Sequence, residues 1–217
     1  MRGNVDTLLA GATGLIGREG VAQACAVGES VCALVRRLPA PPVARVDWRV
    51  VDFAALPPLP TARQAFCALG TTIGVAGSQA AFRAVDFDAV LAFARAAKAA
   101  GCSSFGVVSA LGADAGSSNF YSRTKGEMEA ALATLGFERL VIARPSLLAG
   151  DRASLGQPPR RGERVALALT APVRSLIPAA WRPIEAATVA RALRRAMMTG
   201  ETGRVVLDSS HLQRLGR

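Results

Sequence analysis

The segment NFYSRTKGE, residues 119–127, holds the only tyrosine of a 217-residue chain and one of its two lysines. Tyr121 and Lys125 stand four positions apart, the spacing that brings two side chains to one face of a helix. A phenol, with a free pKa near ~10, exchanges protons poorly at neutral pH. A neighbouring ammonium favours the phenolate and so makes the phenol more acidic. The pair therefore predicts a group able to give a proton to a carbonyl that receives hydride, or to take one from an alcohol that loses it. Ser109 follows an apolar run upstream. At the carboxyl end of a parallel strand its hydroxyl would face the ligand crevice and could bind the substrate oxygen. Lys125 would also hold the ribose of a nicotinamide.

Such chemistry needs a hydride carrier, and the chain offers a place for one. GATGLIG, residues 11–17, follows the first apolar run at once and opens an amphipathic stretch. Gly11 suits a tight turn, Gly14 lets the backbone approach a pyrophosphate, and Gly17 allows close helix–strand packing. The helix beginning there presents free N–H groups and a positive dipole end to the phosphates. Thr13, Leu15 and Ile16 of the same turn join the expected cofactor-binding residues. No GK[ST] is present, which disfavours a nucleotide triphosphatase. Where an acidic residue would select a free ribose hydroxyl, the chain has Arg36 and Arg37. Guanidinium groups suit a 2′-phosphate, so NADP(H) is expected in preference to NAD(H).

The elements that must position these residues are legible as an alternation. Apolar runs at 5–11, 31–37, 47–53, 65–72, 105–110 and 139–145 predict strands. Helical stretches are expected at 15–28, around 79–100 and from about 119 to 135. Continuous apolar strands separated by helices imply a parallel sheet covered on both faces, a doubly wound α/β fold. VVLDS at 205–209 is expected to return as a last strand. Residues 1–217 read as one NAD(P)-binding domain, with 150–183 as a substrate-side excursion in which Trp181 and Arg182 are candidate wall residues.

Composition narrows the alternatives. Four cysteines without CxxC spacing argue against a disulfide framework or a zinc site and point to a reduced, cytoplasmic setting. The opening residues lack the apolar region of a signal peptide, and no apolar run approaches a membrane span. His211, the only histidine, sits in the expected C-terminal tail, exposed or disordered. Without a second histidine or a GxSxG setting, hydrolase and metal chemistry have no residues to work with. Fourteen arginines face five carboxylates in residues 139–217. That basic third reads as solvated surface, compatible with an acidic substrate. It lacks the interleaved aromatics of a nucleic-acid binder.

Taken together, GATGLIG, Ser109 and YSRTK at 121–125 resemble the short-chain dehydrogenase/reductase superfamily. LGTT at 69–72, VSALGADAGSSNFYSRTKGEME at 108–129 and ARPSLLAGDR at 143–152 are similar to its atypical and extended branches. The 108–129 segment and RPIEAATVARAL at 182–193 resemble the small oxidoreductases related to the Tat-interacting protein. The resemblance implies a Rossmann fold, with Asp52 and Phe53 flanking the adenine, Leu69, Gly70 and Thr71 lining the cofactor, and Pro145 near the nicotinamide. It also exposes departures: Ala110 replaces a second serine, and Asp86 stands where many relatives carry a proton-relay asparagine. The expected function is hydride transfer to or from a small carbonyl or alcohol. Nucleotide-sugar epimerisation or dehydration, and non-catalytic NADP(H) sensing, are the alternatives.

Overall fold

The computed structural model describes residues 4–40, 42–43, 45–149, 181–199 and 201–217. Seven strands form one parallel sheet: β1 Val5–Ala10, β2 Val31–Val35, β3 Val46–Val50, β4 Ala62–Cys67, β5 Ser104–Val108, β6 Arg139–Arg144 and β9 Gly203–Asp208, in the order β3-β2-β1-β4-β5-β6-β9. β7 Leu148–Ala149 and β8 Ile184–Glu185 form a separate short parallel pair. From β1 the chain winds outward to β3, then returns to β4 on the other side of β1. That reversal opens a crevice beyond the carboxyl ends of β1 and β4. The doubly wound reading holds.

VCALV of β2 is buried at every position, as an inner parallel strand covered on both faces must be. Alternate side chains of the sheet supply two cores. Leu8, Leu34, Phe105 and Ile142 pack with Phe93 of α4 (Val90–Ala99) and with Met128 and Leu132 of α5 (Phe120–Ala133). Leu9, Phe66, Val141 and Leu207 pack on the other face with Val21 of α1 (Leu15–Ala26), Leu193 and Met197 of α6 (Ala186–Thr199) and Leu212 of α7 (Ser209–Leu215). Each such side chain, fully buried, contributes about 1.5–3 kcal/mol.

Between β4 and β5 come two short helices, α2 Ile73–Ala76 and α3 Gln79–Arg83, then a π-helical turn, Ala84–Ala89, that runs into α4. The sequence pattern predicts a long helical stretch around 79–100, and α3, the π turn and α4 run on without a gap from 79 to 99. The wider turn inserts a residue without ending the helix, and stretches of this kind recur at functional sites. The fourth strand runs Ala62–Cys67 rather than 65–72; residues 68–72 are irregular, with the Thr71 N–H taken by Asp86 instead of a neighbouring strand. The last strand starts two residues earlier than expected. His211 is exposed, as expected, but ordered: it lies in α7, whose first turn is capped by the Asp208 carboxylate accepting from the His211 N–H at 2.8 Å. The expected substrate-side segment 150–183 lies outside the described residues, apart from 181–183. No helix among the described residues is long and apolar enough to cross a membrane.

Candidate functional site

Helix α5 begins where Asn119 accepts the Ser122 N–H at 3.1 Å, an N-cap that fixes the rotation of everything after it. Tyr121 and Lys125 follow one turn apart. The tyrosine ring is half-buried and lies against Phe82 of α3, with ring centroids 5.4 Å apart. Lys125 turns inward and is almost wholly enclosed. Its ammonium meets Asp86 Oδ1 at 2.7 Å, with the two side chains 4% and 1% exposed. Asp86 Oδ2 accepts the Thr71 N–H at 2.8 Å. A lysine from α5, a carboxylate from the π turn and the backbone after β4 thus meet at one point. Burial by itself would lower the Lys125 pKa; the attractions of Asp86, Tyr121 and Cys67 outweigh it, so the net displacement is upward. Cys67, the last residue of β4, is fully enclosed, and burial pushes its thiol up to about 12. It is no nucleophile.

Ser109 is placed differently from its expected direction. Its N–H reaches the Ala143 carbonyl at 2.7 Å, and its hydroxyl donates to Glu129 Oε1 at 2.6 Å in the buried interior. A carboxylate only accepts, so the single hydroxyl proton is spent on Glu129. Glu129 also takes a bidentate pair from Arg144, at 2.9 and 2.6 Å, and a longer contact from Arg204 at 3.3 Å. This second cluster joins α5 to β6 and β9. Its signal in the sequence was a carboxylate four residues after Lys125, among the apolar positions of the helix. Arg144 and Arg204 carried no local signal: they lie four positions out of register on β6 and β9 and meet only on the Glu129 carboxylate.

The glycine turn has the geometry that an anionic ligand requires. Gly11 has φ +83°, and any side chain there would strike the Ala68 carbonyl. Gly14 caps α1 without a side-chain hydrogen bond, so the first-turn N–H groups have no side-chain acceptor. A Cβ on Gly14 would come no nearer than 3.4 Å to the Gly11 oxygen; the room in front of the turn is open. Thr13 is exposed and Leu15 half-buried, whereas Ile16 is buried in the core behind the helix. Only the backbone of Ile16 can serve a ligand. Arg36 and Arg37 emerge exposed from the end of β2.

The remaining expected positions divide. Leu69 packs on the core, Gly70 is exposed, and Thr71 is tied to Asp86. Asp52 is exposed and its carboxylate accepts the Ala54 N–H at 2.9 Å. Phe53 is 8% exposed and belongs to the core beside Leu59, so its ring serves packing. Pro145 is buried, its carbonyl accepting the Leu111 N–H at 3.1 Å. Trp181 is exposed, and the Arg182 carbonyl accepts from the Ser146 hydroxyl.

Seven parallel strands with helices on both faces and a glycine turn after β1 define a Rossmann-like α/β protein. No protein-family model matches the chain. It is 36% identical over 180 residues to Protein HTATIP2 of Rattus norvegicus, covering 79% of this chain and 71% of that one. It is 33% identical over 165 residues to Protein FMP52-1, mitochondrial, of Scheffersomyces stipitis, covering 68% and 69%. The chain belongs to the family of the HTATIP2 and FMP52 proteins. Among solved structures, MoeE5 in complex with UDP-glucose and NAD superposes with a TM-score of 0.72 at 19% identity, over 93% of this chain and 75% of that one. The human epimerase family protein SDR39U1 with NADPH gives 0.66 at 18%, over 93% and 72%. Several fungal relatives are designated mitochondrial. This overturns the cytoplasmic expectation, which rested on unpaired cysteines and the lack of a secretory signal. Those features are common to reducing compartments and do not separate one from another.

Proposed function

We propose that the protein is an NADP(H)-dependent oxidoreductase that moves hydride between the nicotinamide and a small carbonyl or alcohol. The observation that carries this reading is the placement of Tyr121 and the Lys125–Asp86 pair on the elements that follow β4 and β5. The opening of the glycine turn at Gly14 fits a pyrophosphate, which the N–H groups of residues 15–17 would hold. When bound, the dinucleotide supplies or accepts the hydride. Tyr121 gives or takes the proton at the substrate oxygen, with Lys125 beside it as the permanent cation. Ser109, its proton held by Glu129, keeps lone pairs that accept but has no proton to donate. It is better read as a support for α5 than as the oxygen-binding group.

Arg36 and Arg37 favour a 2′-phosphate, and the NADPH in the SDR39U1 structure supports a phosphorylated cofactor on this fold. The NAD in the MoeE5 structure supports the other. A second reading, epimerisation or dehydration of a nucleotide sugar, draws support from the UDP-glucose in that same structure. It predicts turnover without net release of oxidised cofactor. The test is NADPH oxidation against a panel of small aldehydes and ketones, with Tyr121→Phe alongside. The expected result is a loss of turnover of about a hundredfold or more, with NADPH affinity within a few-fold. Retention of most activity in Tyr121→Phe would show that another group handles the proton. Binding of NADPH with no turnover of that panel or of nucleotide sugars would leave a cofactor-sensing protein.

A further inference from the structure

Asp86 does something that an asparagine in its place could not. It lies on the π turn Ala84–Ala89, 1% exposed, with its two oxygens divided between Lys125 Nζ at 2.7 Å and the Thr71 N–H at 2.8 Å. An amide oxygen could accept either hydrogen bond, but only a carboxylate balances the charge of a buried ammonium. The other groups facing Lys125 are Tyr121 on its own helix and Cys67 on β4. Burial pushes the Cys67 thiol up to about 12, so it offers no charge at neutral pH. The counter-charge therefore comes from the π turn. Its second oxygen also ties the lysine to the Leu69–Thr71 turn.

We propose that Asp86 is a positioning residue: its carboxylate holds the Lys125 ammonium in charge and direction and couples it to the Leu69–Thr71 turn, so that the cofactor-lining loop and the lysine act as one unit. The inference rests on the oxidoreductase reading for the purpose of that unit, and on the ion pair alone for its existence. Without the carboxylate, burial remains as the main influence on Lys125, and burial disfavours the ammonium.

The composition of the chain makes this directly measurable. Lys98 and Lys125 are its two lysines, so full-length protein labelled with ¹³Cε-lysine gives two side-chain resonances, with exposed Lys98 as internal reference. In the unsubstituted protein the Lys125 midpoint is expected above the ordinary lysine value of 10.5. In Asp86→Asn it is expected to fall by about one pH unit or more, and Asp86→Glu should recover most of that fall. A Lys125 midpoint at or below 10.5 in the unsubstituted protein overturns the inference, whether or not any variant folds. An Asp86→Asn midpoint matching that of the unsubstituted protein does the same.

The coupling is read separately, by NADPH fluorescence titration. Across the pH interval that brackets the Lys125 midpoint found in Asp86→Asn, affinity is expected to stay level in the unsubstituted protein and to drop severalfold in the variant. A lowered Lys125 midpoint with level NADPH affinity would refute the coupling. Failure of the unsubstituted protein to bind NADPH would refute the cofactor reading, while the lysine resonance still decides the role of Asp86.

Discussion

Two glycines of one turn give opposite predictions when each is changed to alanine. At Gly17 a Cβ would lie 2.0 Å from the Gly11 oxygen and 2.6 Å from its carbonyl carbon. Both are backbone atoms, with no rotamer to escape into. Ordinary carbon–oxygen contact requires more than an additional ångström, so helix and turn must separate. Overpacking of this kind costs about 1–3 kcal/mol. A clash with backbone belongs at the upper end, and the better helix propensity of alanine returns at most about 1 kcal/mol. Gly17→Ala should thus lose about 2 kcal/mol in urea unfolding followed by circular dichroism.

At Gly14 the nearest atom to a new Cβ is 3.4 Å away, an ordinary contact, and φ of −83° suits any residue. Gly14→Ala should therefore lose no more than about 1 kcal/mol, the loss of a favourable helix cap. If a pyrophosphate occupies the space in front of the turn, however, the methyl group displaces it. NADPH dissociation constants should rise about tenfold or more, as expected where a backbone must approach phosphate closely. Unchanged stability of Gly17→Ala would refute the packing argument. NADPH affinity in Gly14→Ala equal to that of the unsubstituted protein would refute the placement of the ligand.

Three further substitutions address the charges. Arg36→Ala should weaken NADPH about tenfold or more while leaving NADH nearly unaffected, because a charge-assisted hydrogen bond to phosphate carries about 1.5–3 kcal/mol; equal starting affinities for the two cofactors would remove the NADP(H) preference. Glu129→Gln keeps the volume and an acceptor for Ser109 but strips the charge facing Arg144 and Arg204. Breaking a buried pair costs about 3–5 kcal/mol; with both arginines part-exposed, about 2 kcal/mol is expected in urea unfolding, and a loss below about 0.5 kcal/mol would show that solvent already screens them. Asp208→Ala removes the cap of α7 and should lose about 1 kcal/mol at neutral pH. The Ser210 hydroxyl and then the His211 N–H hold the Asp208 carboxyl below its ordinary 3.8. The Asp208 contribution is accordingly full above that pH and fades as acid is added below it. A difference between the two proteins that persists unchanged to pH 2 would contradict the assignment.

The sheet was readable because its strands are continuous apolar runs with charged or glycine-rich breaks between them. The positions that misled were those at strand ends, where an apolar residue has two places to go. Phe53 and Ile16 sit in stretches expected to bind a cofactor, yet their side chains turn into the core, Phe53 from the loop after β3 and Ile16 from the inward face of α1. Ser109 was assigned to the crevice by its position after β5; its direction depends on Glu129, twenty residues later on another element. Asp86 drew notice as a replaced asparagine. Its partner could not be inferred, because the π turn that aims it leaves no mark in apolar periodicity.

The face of the sheet beneath α1 is closed by the far end of the chain. Arg194 of α6 forms a buried pair with Glu29 at 3.0 Å, Glu29 in turn accepts from Thr7 of β1, and Gln23 of α1 donates to the Ala187 carbonyl. A nascent chain therefore exposes an oily helix–sheet surface, with an unanswered carboxylate beside it, until residues 186–199 have been made. Closing so long a loop is slow. During synthesis the N-terminal half would depend on chaperones, and a stop codon anywhere in the preceding third would release a sticky, protease-sensitive fragment rather than a smaller working protein.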